Sequence, residues 1–282
     1  VRDEAARFED FLAFHAPALE ADEVRHNLIL GLLLAGAPVD GVRLWTLGGP
    51  GACALQFPSR NIVLGALDRG QCQQLADEVR ALDIPGVVGG DQTAAWFVDH
   101  ARTLGLAFLS PVPQQIHALR TPPRYPGAAG HARQASPADA ELFAGWAWAF
   151  CDEAVPHDPK PARTQLNQGV TDGRHFFWVA DGQPVSMAGV ARRTPQTAAI
   201  SLVYTPPTLR GRGYAGSVTA AVADHIMNGE KRTPCLYTDL RNPASNRCYA
   251  KIGFVPVCSS YHYARQPMGG AYSALAGSSD HL

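Results

Sequence analysis

The run AISLVYTPPTLRGRGYAGSVTAAVADHIM (residues 199–227) passes from a strand-like segment through a Pro- and Gly-rich loop into a helical pattern. Ala215, Val218, Val222 and Ile226 recur at spacings of three and four, which makes one apolar face and puts the helix start near Gly211–Ala215. The first amides of a helix have no intrahelical partner and carry partial positive charge. Gly211 and Gly213 let an anion reach those amides with no Cβ in the way, and Arg210 and Arg212 add guanidinium donors suited to phosphate. The physical reading is a diphosphate cradle made by Arg210, Gly211, Arg212, Gly213, Tyr214 and Ala215. The plainer alternative is a Gly-rich turn with exposed arginines.

Three phosphate-binding patterns compete for this loop. G-x-x-x-x-G-K-[ST] is absent. G-x-G-x-x-G is present as Gly211, Gly213 and Gly216, and Asp239 follows at the end of the next strand. A dinucleotide fold, however, puts its first Gly directly after the strand; here Thr205–Arg210 intervenes, with Pro206 and Pro207. The roughly forty residues after Asp239 are too few for the further βαβ units such a fold needs.

The third pattern fits. Arg210-Gly211-Arg212-Gly213-Tyr214-Ala215 matches Q/R-x-x-G-x-G/A, the coenzyme A loop of the GNAT acetyltransferase superfamily. Asn242-Pro-Ala-Ser-Asn246-Arg-Cys-Tyr249-Ala-Lys-Ile-Gly253-Phe254 resembles its second signature, an Asn followed by a helix with Tyr and then Gly-Phe. Residues Arg133–Tyr263 thus resemble a bacterial GNAT branch with an added N-terminal domain. The resemblance implies a sheet splayed between the strands ending near Tyr204 and Leu240. Pantetheine would pair with main chain at Val203, Tyr204 and Thr205, and the amides of Gly211–Ala215 would hold the pyrophosphate. Asn242 and Asn246 would line the coenzyme groove, and Tyr249 would protonate the departing thiolate. A strand amide near Val203 would steady the oxyanion while an amine attacks the thioester directly, with no covalent enzyme intermediate.

Many GNAT enzymes take their base from a Glu on the strand before the loop, but Thr197–Val203 contains no carboxylate. Glu153 and Asp239 are the candidate substitutes, and water relay to solvent is the alternative. Each site residue also has a plainer reading: Tyr249 as a core aromatic, Asn242 and Asn246 as turn or N-cap residues, the acids as solvated surface groups. The implied activity is acetyl transfer from acetyl-CoA to a small-molecule or peptide amine. A non-catalytic coenzyme-A-binding sensor or scaffold is the rival.

The rest of the chain is read as α/β. Residues 1–120 form an N-terminal α/β domain whose strand-and-helix order is compatible with a degenerate copy of the same fold. Residues 121–130 (TPPRYPGAAG) form a linker, 131–265 the GNAT domain with a mixed, splayed sheet flanked by helices, and 266–282 a mobile tail. Helices are expected over Asp3–Phe14, Ala18–Ala35, Asp68–Leu82, Gln92–Thr103, Ser136–Glu153, Ala215–Asn228 and Asn246–Ile252. Strands are expected over Gly41–Leu47, Ala52–Phe57, Asn61–Ala66, Leu106–Leu109, Gln114–Leu119, Phe176–Ala180, Val185–Arg192, Ala198–Tyr204, Cys235–Leu240 and Pro256–Tyr263. Pro85–Gly90 reads as a turn or short strand. The N-terminal half has no R-x-x-G-x-G/A loop, so one coenzyme per chain is expected.

A formal charge of -1 on 282 residues gives no pull toward nucleic acid or an anionic membrane. The longest apolar run, Leu28–Ala37, is broken by Gly31 and Gly36 and falls short of the ~20 residues that span a bilayer. The charged start, VRDEAARFED, does not read as a signal peptide. The six cysteines are scattered without C-x-x-C spacing and read as reduced thiols of a cytoplasmic protein. The ten histidines show no ligand spacing, so no metal site is expected.

Overall fold

The computed structural model describes residues 2–36, 40–90, 92–156 and 159–266. The first half contains α1 (Arg2–Glu20), α2 (Glu23–Ala35), β1 (Arg43–Thr46), β2 (Cys53–Gln56), β3 (Ile62–Leu64), α3 (Arg69–Val79), β4 (Gly86–Gly90), α4 (Thr93–Thr103) and β5 (Val112–Ala118). The second contains β6 (His131–Gln134), α5 (Ala140–Ala154), α6 (Arg163–Thr171), β7 (His175–Ala180), β8 (Gln183–Arg193), β9 (Thr197–Tyr204), α7 (Tyr214–Asp224), β10 (Thr233–Asp239), α8 (Pro243–Ile252) and β11 (Val255–Ala264).

Among the described residues all the strands join one sheet of eleven, in the order β1-β2-β3-β4-β11-β5-β10-β9-β8-β7-β6. Its two halves mirror each other about the antiparallel β11–β5 pair. On one side β4 runs antiparallel to β11 and parallel to β3. On the other β10 runs antiparallel to β5 and parallel to β9. Parallel neighbours need a crossover, and α3 and α7 supply it at equivalent places. Each half therefore repeats one plan and lends its last strand to the other. The residue-120 boundary falls just after β5, and the sheet runs across it without a break.

Alternation along the strands builds a core on each face. Ile62 and Leu64 pack on α3 and α4 through Leu75 and Phe97, whereas Leu55 and Val63 pack on α1 and α2 through Phe8 and Leu30. In the second half Val190, Ile200 and Leu236 meet Val218 and Val222 of α7, while Phe177, Met187 and Tyr204 meet Phe143 and Ala147 of α5. Helix α2 bridges the halves: its Val24 packs with Ala199 and Cys235. Polar groups lock that contact. Buried Glu23 accepts from Thr194 Oγ1 at 2.5 Å and from the Gln196 amide at 2.8 Å, and Asn27 Nδ2 donates to Thr197 Oγ1 at 2.9 Å.

Several elements differ from expectation. Ala18–Ala35 is not one helix: α1 runs through Pro17 to Glu20, and Asp22 then caps α2 by accepting from the Arg25 amide. Leu106–Leu109 is not a strand; Phe108 makes an isolated bridge to Arg265. Helix α7 ends at Asp224, and a π turn covers His225–Gly229. Strand β6 and helix α6 were not anticipated. The Pro- and Gly-rich segment 121–130 is irregular but packed: the Arg124 amide donates to the Ile252 carbonyl at 2.8 Å, and Trp178 Nε1 donates to the Ala129 carbonyl at 2.9 Å. Most of the expected tail, from residue 267, lies outside the described residues. Among the described residues no helix is long and apolar enough to cross a membrane.

Candidate active site

The parallel strands β9 and β10 pair from Thr197/Thr233 to Ile200/Leu236 and then part. Ser201–Tyr204 and Tyr237–Asp239 continue as strand with no partner across the gap. Strand β9 is also bulged. Its pairing with β8 steps from Gly189/Ser201 to Met187/Tyr204, so Leu202 and Val203 have no register partner on β8. Leu202 sits at φ 55, a left-handed conformation that costs a non-glycine residue about 1–3 kcal/mol. The bulge turns the Tyr204 side chain onto the α5 face, into the core with Phe143 and Phe177. Val203 main chain is left at the gap. The carbonyls of the next two residues are engaged: Tyr204 O accepts from Ser186 Oγ at 3.0 Å, and Thr205 O from Arg210 Nε at 2.9 Å.

Gly213 is the N-cap of α7 at φ 81, and no side chain caps the first turn. Gly211 is left-handed too, at φ 79. The amides of Tyr214 and Ala215 therefore open an uncapped helix beside two arginines. Arg210 bends back over the Tyr204 ring, 5.8 Å from its centroid, and pairs with Glu153 at 2.7 Å. Arg212 is exposed at the loop. The equivalent helix of the first half, α3, is closed by its own chain. Asp68 Oδ1 accepts from the Gln71 amide at 2.8 Å, and Gln71 Oε1 accepts from the Asp68 amide at 2.9 Å. A carboxylate thus already occupies the place an anion would take there.

Tyr249 of α8 faces the gap and packs edge-on against Phe254, with ring centroids 6.2 Å apart. Burial pushes its phenol above the usual range, and neighbouring Cys248 adds to this, so it stays protonated at neutral pH. Asn242 caps α8 by accepting from the Ser245 amide at 3.0 Å. Asn246 Nδ2 donates to the Asp239 carbonyl at 3.1 Å, while its Oδ1 is buried without a partner. Asp239 is held by Arg241, with side-chain contacts of 2.9–3.2 Å; burial pushes its carboxyl up, but the hydrogen bonds and charge of Arg241 outweigh that and lower it. Neither acid considered as a base lines the cavity at the gap.

That cavity, of about 610 Å³, opens where the strands part. Ile200, Leu202, Val203, Leu236, Tyr237 and Tyr249 line one side. Leu28 and Leu32 of α2, with Leu55 and Phe57 of the first half, line the other, and Phe150 of α5 joins them. Sequence reasoning missed the bulge at Leu202 and the wall made by α2. Neither has a local signal: leucine is not a residue that marks left-handed backbone, and α2 reads as an ordinary apolar helix.

The FR47-like protein family model matches residues 179–262. No curated protein matches the chain. A GCN5-related N-acetyltransferase from Kribbella flavida is similar over 88% of this chain and 95% of its own, with TM-score 0.61 and 18% identity. A Drosophila protein is similar over 94% and 96%, with TM-score 0.63 and 13% identity. A tandem GNAT protein from the clavulanic acid biosynthesis pathway is similar over 95% and 97%, with TM-score 0.56 and 13% identity. These likenesses show that the chain has the fold of GNAT proteins, and the FR47-like match lies in the second half of the sheet.

Proposed function

We propose that the protein is an acetyl-coenzyme-A-dependent N-acetyltransferase acting on a primary amine, with one coenzyme site per chain. The observation that carries this is the uncapped start of α7 beside the parted strands β9 and β10. The amides of Tyr214 and Ala215 and the guanidinium of Arg212 are the donors for a diphosphate, and Arg210 can join them by leaving Glu153. Bound acetyl-coenzyme A would supply the thioester that an amine attacks. In this reading the Val203 main chain offers a hydrogen bond where negative charge develops. Tyr249, kept protonated by its surroundings, gives a proton to the leaving thiolate. Asn242 and Asn246 hold the α8 end of the groove in shape, through a cap and a bridge to β10. No described carboxylate lines the cavity, so the amine's proton leaves by water. Because Asp68 closes α3, the first half shapes the acceptor side instead of binding a second coenzyme.

Calorimetric titration with coenzyme A tests the reading. One site per chain is expected; two sites would mean that α3 opens. No binding of coenzyme A together with binding of NAD would revive the dinucleotide alternative. Binding without thiol release across an amine panel would favour a sensor.

A further inference from the structure

The cavity at the parted strands mixes apolar side chains with polar ones such as Asn61, Gln114 and Gln165. Among the described residues that line it there is no Asp or Glu, while Arg192 and Arg60 are present. Arg192 is the informative one. It lies near the end of β8, level with Ala199 on β9. Its Nε donates to Asn27 Oδ1 of α2 at 3.1 Å, and its guanidinium stacks 5.4 Å from the centroid of the Tyr237 ring. Asn27 is itself fixed by Thr197. Among the described residues the guanidinium's hydrogen bond goes to a neutral amide and its stacking partner is a ring, and no described carboxylate forms an ion pair with it. A partly buried cation held in one orientation against a cavity wall is suited to receive an anion.

Resting on the reading above, we propose that the acceptor is an α-amino acid with an apolar side chain, whose carboxylate is held by Arg192. The planar guanidinium fork suits a carboxylate with hydrogen bonds near ~2.8 Å. By strand register, Tyr237 lies one residue beyond the last β9–β10 pair, level with Ser201, and the bulge at Leu202 keeps Val203 less than ~6.6 Å further along. A carboxylate at Arg192 therefore brings an amine on the adjacent carbon toward the level of Val203. The apolar side chain meets Leu28 and Leu32. A polyamine or Lys-rich peptide finds no described acid to neutralise its remaining charges, and desolvating them unpaired is costly.

The test compares L-leucine, L-leucinamide and spermidine as acceptors with acetyl-coenzyme A, in wild type, Arg192→Met and Arg192→Lys. Leucine is expected to be the best acceptor of wild type. Arg192→Met should lower kcat/KM for leucine by about 10- to 100-fold, the value of hydrogen bonds to a charged group, and leave leucinamide within about threefold. Arg192→Lys should fall between. N-acetyl-L-leucine should raise the melting temperature of wild type more than N-acetyl-L-leucinamide, which reads the anion site even if Arg192→Met does not fold. Leucinamide or spermidine used as well as leucine would overturn the proposal and leave coenzyme-dependent transfer standing. Absence of coenzyme A binding would remove both.

Discussion

Replacing Gly213 with Val separates the coenzyme cradle from the fold that carries it. Gly213 holds φ 81 at the N-cap of α7, a conformation that costs an L-residue roughly 1–2 kcal/mol and a β-branched one more. Space is not the obstacle within the chain. A Cβ there meets Ala128 Cβ at 3.6 Å and Pro126 Cβ at 3.9 Å, ordinary contacts. The free protein should therefore lose about 2 kcal/mol, or ~4–8 °C of melting temperature for a chain of this size. Coenzyme binding should suffer more. Relaxing φ turns the first amides of α7 away from a common point, and the branched side chain stands beside it. Loss of a single hydrogen bond to a phosphate oxygen costs ~1.5–3 kcal/mol, or about 10- to 100-fold in affinity. Gly213→Ala, with the same φ and a smaller side chain, should fall between. Calorimetry with coenzyme A on folded protein, with melting curves beside it, reads both effects. Wild-type affinity in Gly213→Val would refute the cradle, whatever the melting temperature does.

Tyr249→Phe removes one hydroxyl from the cavity wall; turnover is expected to fall about 10²–10⁴-fold with coenzyme affinity nearly unchanged, and equal turnover in steady-state assays would make Tyr249 a packing residue. Glu153→Gln breaks an exposed ion pair, so stability should change by less than ~1 kcal/mol, while coenzyme affinity should hold or rise because Arg210 is released; a large loss of turnover without loss of affinity would instead make Glu153 the base. His175, stacked on Phe143 with centroids 3.9 Å apart, is pushed down to about 4 by burial, with Arg174 adding to the shift. The unfolded chain, with an ordinary value near ~6.5, then binds the proton first, so this group's contribution is intact above pH ~6.5 and fades as pH falls to ~4, by up to ~3 kcal/mol. Urea midpoints at pH 7 and pH 5 should differ in that direction, and a His175 imidazole titrating near ~6.5 by NMR would contradict it. Deleting residues 1–120 removes β5 from between β10 and β11, and the remainder is expected to be insoluble; a soluble fragment with full amine selectivity would contradict the exchange of strands between the halves.

The glycine loop and the helix start that follows it were legible because their signals are local. Glycines at 211 and 213, an apolar stripe from Ala215 and flanking arginines are all visible in one short run, and the left-handed φ at both glycines explains their presence. The Asn242–Phe254 signature was legible for the same reason, as cap, helix and left-handed Gly253 follow in order. What escaped reading is non-local. Strand order is not written in any single strand, so nothing in VPQQIHA marks β5 as a partner of β10 and β11. Helix α6, RTQLNQGVT, follows a Pro-rich stretch and buries only Leu166, Gly169 and Val170, too little apolar pattern to stand out. Arg192 looks like any charged end of a hairpin strand until α2, from far earlier in the chain, is laid against it.

Thiol release from acetyl-coenzyme A, followed across an amine panel with the full chain and with Tyr249→Phe, is the direct test of the central claim. The account predicts amine-dependent release by the wild type, matched by an equal amount of acetylated amine, and a fall of about 10²–10⁴-fold in the variant. Tight coenzyme A binding with no amine-dependent release would contradict acetyl transfer and leave the cradle serving a sensor.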